Sequence, residues 1–93
     1  DSTEVIFLNF GKNEERYCLP YLQQLRRNGI NAEIYPDSAK IQKQMKYADQ
    51  RGIPVVIMAG EDEMNNKTFT VKFMKEGRQE NVAAENLLDI IRN

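Results

Sequence analysis

The side chains in this sequence that could carry chemistry are few and scattered. Glu61, Asp62 and Glu63 stand in a row, Cys18 is the single cysteine, and the glycines Gly11, Gly29, Gly52, Gly60 and Gly77 fall one at a time. A carboxylate cluster suits metal binding or general acid-base work. Three acids on a turn with no complementary base are more simply a solvated loop. A thiol with no His or second Cys to activate it reads as a small core residue. The glycines form neither G-x-G-x-x-G nor G-x-x-x-x-G-K-[ST], so turn and cap duties account for them. The basic side chains are less easily set aside. From Ser38 to Arg51 they outnumber acids four to one, and from Lys67 to Arg78 four to one again.

Composition removes whole classes of function. A chain of 93 residues allows one domain, spanning 1–93, with a core of modest size. The absence of His excludes Ser-His and Cys-His catalysis and His-metal chemistry, and one Cys excludes an internal disulfide and a Cys-ligated zinc site. Neither a catalytic residue nor a metal or other cofactor is therefore expected for this chain. A net charge of −1 opposes a generic nucleic-acid binder, which is normally basic. No apolar run approaches the ~18 residues of a membrane span, and the acidic start, Asp1-Ser-Thr-Glu4, is unlike a signal peptide. A cytoplasmic setting without membrane partners is the expectation. The missing initiator Met suggests a processed chain or a piece of a longer one.

These side chains must be positioned by the elements around them. Residues 5–10 form an apolar run of β-formers, the pattern of a strand covered on both faces. From Asn13 to Asn28 the residues Tyr17, Cys18, Tyr21, Leu22 and Leu25 recur at helical spacing, with Asn13 as a candidate cap, Pro20 as a candidate kink and Gly29 as the stop. Ile30 to Tyr35 alternates as a second strand. Asp37 or Ser38 is then expected to cap a second helix whose apolar candidates are Ile41, Met45, Tyr47 and Ala48, and which Gly52 ends. Ile53 to Ala59 is the most apolar run and the expected central strand. Beyond an acidic turn, Thr68 to Met74 alternates as a half-exposed strand, Glu76-Gly77 turns a hairpin, a short strand follows from about Arg78 to Val82, and Ala83 to Arg92 closes as a helix.

The order βαβαβ, then a hairpin, then a helix predicts a three-layer α/β domain. Three parallel strands with right-handed crossovers would be extended at one edge by the antiparallel hairpin, giving a mixed five-stranded sheet with three helices. Ligands gather at the carboxyl ends of parallel strands in such sheets. Spaced three apart, Lys40, Lys43 and Lys46 would rise along one side of the second helix, with Gln44 beside them as donor and acceptor. Lys72 should share a strand face with Thr68, Thr70 and Met74. Composition alone favours solvated faces and edge lysines that discourage aggregation. A nucleic-acid patch requires the two basic segments to meet at one surface.

Three further stretches carry more than periodicity. Lys46-Tyr-Ala-Asp-Gln-Arg-Gly-Ile-Pro-Val-Val-Ile-Met-Ala-Gly-Glu-Asp-Glu63, followed by Thr68-Phe-Thr-Val-Lys72 and Gly77-Arg-Gln-Glu80, closely resembles the C-terminal anticodon-binding domain of the histidyl-tRNA synthetases. That domain type is shared among class IIa aminoacyl-tRNA synthetases, and the resemblance extends over essentially the whole chain. It implies a domain that holds the anticodon loop of tRNA-His and is not itself an enzyme. Its parent would be a histidine-tRNA ligase using ATP and magnesium, usually a homodimer through its catalytic domain, whereas the isolated piece would be a monomer. In threonine-specific relatives, bases are read at positions matching Ser38, Glu63 and Lys72. The threonine group carries Asn where Ser38 stands, and the family alternates Lys and Arg at Lys72. A carboxylate such as Glu63 can accept from the N1–H and exocyclic amine of guanine, which occurs twice in the anticodon GUG. Lys72 would donate to a base oxygen or phosphate, and Lys40 and Lys43 would hold the backbone, with Gln44 beside them. The same scaffold also occurs in accessory and regulatory synthetase-like proteins that no longer aminoacylate, which leaves a protein- or RNA-binding accessory domain as the alternative.

Overall fold

A computed structural model describes residues 2–93. Strands β1 (Val5–Phe7), β2 (Ala32–Ile34), β3 (Val55–Met58), β4 (Thr68–Phe73) and β5 (Arg78–Ala83) alternate with helices α1 (Lys12–Arg27), α2 (Ile41–Gln50), α3 (Glu61–Asn66) and α4 (Leu87–Arg92). They form one sheet in the order β2-β1-β3-β4-β5. β1 pairs in parallel with β2 and β3, while β3, β4 and β5 run antiparallel in sequence. The mixed five-stranded sheet with β3 at its centre is the one the apolar runs predict. A fourth helix is added: the acidic stretch is not a turn but α3.

The apolar run at β1 behaves as its composition requires. Val5, Ile6 and Phe7 are all fully buried, and they divide between two cores. Val5 and Phe7 join Cys18, Leu22 and Leu25 of α1, Phe69 and Val71 of β4, and Leu87 of α4 on one face. Ile6 joins Leu8, Tyr35, Ile53, Val56 and Ala48 of α2 on the other. Helices therefore cover both faces of the parallel half, giving three layers. Cys18 is a core residue, and burial pushes its thiol up to about 12, far from a reactive thiolate.

Both long helices end on the same device. Gly29 (φ 80°) and Gly52 (φ 66°) take the left-handed conformation that other residues resist. In each case the glycine N–H and the next N–H fold back onto helix carbonyls: Gly29 to Arg26 and Ile30 to Leu25, Gly52 to Asp49 and Ile53 to Ala48. The following strand is thereby aimed back at the sheet.

Three local expectations are corrected. At the start of α1 (Lys12–Arg27), which contains Pro20, Gly11 and not Asn13 occupies the cap position. Pro20 and Arg16, whose carbonyl it deprives of a donor, are both exposed, so the lost bond falls on the solvent side. α2 starts at Ile41 with Lys40 at the cap, so neither Asp37 nor Ser38 caps it. Ile41 is not a core residue but 42% exposed, since it stands at the helix start beyond the reach of the core.

Candidate nucleic-acid interface

α2 covers β1 and β3 but leaves the outer half of its sheet face open. Alternation along β4 sends Phe69 and Val71 into the α1 core and turns Thr68, Thr70 and Lys72 outward. The register sets Met58 opposite Thr70 and Val56 opposite Lys72 on one side, and Asn81 and Gln79 opposite the same two residues on the other. The result is a shelf of polar and methionine side chains bounded by the start of α2 and by α3.

Glu63 is fixed at the edge of this shelf. Its position three residues after Gly60 lets its side chain turn back over the start of α3, where Oε1 accepts the Gly60 N–H at 2.8 Å. Thr70 donates its hydroxyl to Oε2 at 3.0 Å. The backbone bond from Gly60 is the main reason the carboxyl lies below the ordinary carboxylate range, with the Thr70 bond adding to it against partial burial. A carboxylate oxygen accepts two bonds, so each oxygen keeps capacity for a further donor. Tyr17 secures the base of the arrangement by donating to Thr68 O at 2.7 Å and, at 3.4 Å, to the carbonyl of Glu63.

The start of α2 is tied to β1 by Gln44. Its Oε1 accepts from Asn9 N at 2.7 Å, and its Nε2 donates to Asn9 O at 2.7 Å and Ala39 O at 2.8 Å. Asn9 is itself held through Glu15, Tyr35 O and Gly11 N. Gln44 is fully buried, so the expectation that it stands beside the lysines as an RNA-facing side chain is corrected: its amide is consumed in holding the 36–40 loop.

Ser38 is exposed on that loop and opens on a crevice of about 280 Å³ shared with Asn9, Gly11, Lys12 and Glu15, at the carboxyl ends of β1 and β2. Lys40 and Lys43 are exposed at the first turn of α2. The structure thus relates Glu63 to Lys72 through Thr70 on one strand face, while Ser38 borders a different crevice. The two basic segments are also less positive than their count. Arg51 pairs with Glu33 at 2.5 Å, with Tyr47 and Thr3 joining, and Arg78 pairs with Glu76 at 2.8 Å and with Glu80. Lys40, Lys43, Lys46 and Lys72 form no ion pair among the described residues. No group of three His, Cys, Asp or Glu side chains placed to hold a metal occurs among the described residues, and no helix there is long and apolar enough to cross a membrane.

Residues the sequence did not single out complete the shelf. Thr70 was legible as a strand-face neighbour of Lys72 but not as the partner of Glu63. Gln79 meets Lys72 only through the hairpin register. Ile41 and Met58 carry no polar signal at all.

The described residues form an α/β module whose mixed five-stranded sheet carries fixed polar groups on an open strand face. The model of the family described as "Anticodon binding domain" matches residues 4–93, and the chain belongs to that family. It is 54% identical over 82 residues to a histidine–tRNA ligase of Christiangramia forsetii, covering 88% of this chain and 18% of that protein. It is 46% identical over 92 residues to the histidine–tRNA ligase of Phocaeicola vulgatus, covering 99% and 20% respectively. The chain thus spans about a fifth of the length of these relatives. A histidyl-tRNA synthetase structure from a Nostoc species superposes with a TM-score of 0.93 at 27% identity, covering 99% of this chain and 22% of that one. The RNA binding domain of a Cryptosporidium parvum threonyl-tRNA synthetase, at 18% identity and a TM-score of 0.88, covers 99% of this chain and 23% of that one and shares the fold. That the relatives are named as ligases does not favour the accessory-domain alternative.

Proposed function

We propose that residues 1–93 form one domain that holds the anticodon loop of tRNA-His for a cytoplasmic histidine-tRNA ligase. The catalytic domain of that longer chain would dimerise and carry out the ATP- and magnesium-dependent ligation, with this domain supplying tRNA discrimination only. The observation that carries the reading is the Glu63 carboxylate, fixed by Gly60 and Thr70 on the strand face that also presents Lys72. Family membership and the ligase relatives support it.

In this reading Glu63 accepts from the Watson–Crick edge of a guanine, which needs two donors aimed at one acceptor group. Its lowered protonation tendency keeps it an acceptor throughout the neutral range. Lys72 donates to a base oxygen or phosphate. Lys40 and Lys43 bind the RNA backbone and supply the salt-dependent part of affinity, and Ser38 offers a hydroxyl from the 36–40 loop. Binding of anticodon stem-loops to the chain and to Glu63→Ala tests the assignment. The expected result is a preference for GUG over a scrambled anticodon that shrinks in the variant. Equal losses on both RNAs would remove Glu63 as a reader.

A further inference from the structure

We infer that Arg51 is a positioning residue: through Thr3 it clamps the segment leading into β1 to the far end of α2, so that RNA held at the near end of α2 is presented to the rest of the ligase in one orientation. This rests on the ligase reading above, with the remainder of that chain entering ahead of β1. Residues 2–4 are fastened beside the start of β2. Glu4 N–H donates to Asn31 O at 2.8 Å, and Asn31 answers with its N–H to Glu4 Oε2 at 2.8 Å and its Nδ2 to the Ser2 carbonyl at 3.1 Å. Backbone and side-chain bonds together thus set the direction in which the chain reaches β1.

Thr3 carries the tie across to α2. Its hydroxyl donates to Glu33 Oε2 at 3.0 Å and accepts from Arg51 Nη2 at 2.9 Å, so one small side chain acts as donor and acceptor at once. Arg51 Nη1 donates to Glu33 Oε1 at 2.5 Å and to the Tyr47 hydroxyl, and the guanidinium carbon lies 5.0 Å from the centre of the Tyr47 ring. Tyr47 closes the network by donating to Glu33 Oε1 at 3.2 Å. The rigid guanidinium fork holds its partners at set angles, as a single ammonium could not.

The placement of α2 gives the clamp its consequence. Tyr47 lies in the last turn of α2 and Arg51 at its C-terminal cap, whereas Lys40 and Lys43 stand at its start. Its 10 residues make a rod of about 15 Å. Gln44 ties the start of that rod to Asn9, just after β1, and Arg51 ties its end to Thr3, just before β1. Helix and strand are therefore pinned to each other at both ends, and a change in the direction of the entering segment moves α2 and its lysines with it.

The test separates holding RNA from presenting it. In the 93-residue chain, Thr3→Val and Arg51→Met, their folding checked by circular dichroism, are expected to bind a GUG stem-loop as tightly as the wild type. In the full-length ligase, histidine activation without tRNA should be unchanged, while the single-turnover rate of histidine transfer to tRNA-His falls about tenfold or more. The double variant should be no slower than Arg51→Met alone, since both cut one link. Thr3→Ser, which keeps the hydroxyl, should transfer at the wild-type rate. Wild-type transfer in both variants, or a loss that Thr3→Ser shares with Thr3→Val, overturns the clamp and leaves anticodon binding standing. So does a fall in stem-loop binding as large as the fall in transfer, which would make the network a support of the RNA site alone. A wild-type chain that binds GUG and scrambled stem-loops equally overturns the ligase reading and the clamp with it.

Discussion

The hydroxyl of Thr70 donates to Oε2 of Glu63 at 3.0 Å, joining the open strand β4 to the short helix α3 through one carboxylate. Because Gly60 N–H already holds Oε1, the second bond fixes the plane of the carboxylate as well as its position. Thr70→Val keeps the shape and strand preference of the side chain and removes only the donor. It is expected to cost about 1 kcal/mol of stability, in the range for a hydrogen bond at a partly exposed site. The Glu63 carboxyl, followed by NMR titration, should shift upward toward the ordinary range. Thr70→Ser should restore it. A Val variant with an unchanged Glu63 titration would show that the Gly60 bond suffices alone.

The acid limb of stability follows from two carboxylates. Glu63 is held below the ordinary range chiefly by Gly60 N–H, and Glu33 chiefly by its hydrogen bond with Arg51. Each binds a proton more weakly folded than unfolded, so the unfolded chain takes up more protons as pH falls. Their contribution is fully present above the unfolded value of about 4.3 and is lost as pH drops through the lowered folded values. Urea midpoints should fall between pH 7 and pH 3. The fall should be smaller in Glu63→Gln and smaller again when Glu33→Gln is added. Identical pH profiles in all three proteins would contradict the linkage.

Most of this fold could be read from the sequence because its signals are local. The run from Val5 is apolar on both faces because helices cover both, and Phe69 and Val71 alternate with Thr70 and Lys72 because only one face of β4 meets the α1 core. Failures arose where tertiary bonds decide. Gln44 looks like a polar residue among lysines, and only the approach of Asn9, 35 residues earlier, makes it a buried clamp. α3 was hidden because Gly60 has no capping side chain, so the reach of Glu63 back to Gly60 N–H is the whole of the signal. The shelf depends further on the hairpin register that sets Gln79 against Lys72, and periodicity is blind to register.

The Gln44 clamp makes a quantitative expectation. Gln44→Leu keeps the bulk but strands Asn9 N–H, Asn9 O and Ala39 O, which are buried or partly buried. The cost should be on the order of 3 kcal/mol, the scale of several backbone groups left without partners. Urea unfolding measures it. Gln44→Glu is expected to recover little, since a carboxylate can accept from Asn9 N–H but cannot donate to either carbonyl. A Leu variant within 0.5 kcal/mol of the parent, on the order of an ordinary surface substitution, would mean the clamp contributes nothing net.

Lys40 and Lys43 differ from Lys72 in what they can contribute. Both are exposed at the first turn of α2 and form no ion pair among the described residues, so they can meet RNA as charges but not as fitted donors. A phosphate contact of this kind releases counterions whatever the base sequence. Removing one should therefore lower the slope of log K against log salt by about 0.7 on a single-stranded loop. Lys40→Ala and Lys43→Ala are expected to weaken GUG and scrambled stem-loops by the same factor and to converge with the wild type at high salt. Lys72→Ala should instead retain a deficit on GUG at high salt, because a donor lost from a base edge is not restored by screening. Binding isotherms at 50, 100 and 200 mM salt, spanning roughly the range over which such slopes are read, separate the two behaviours. A parallel salt dependence in all three variants would assign Lys72 to the phosphate backbone and leave base reading to Glu63.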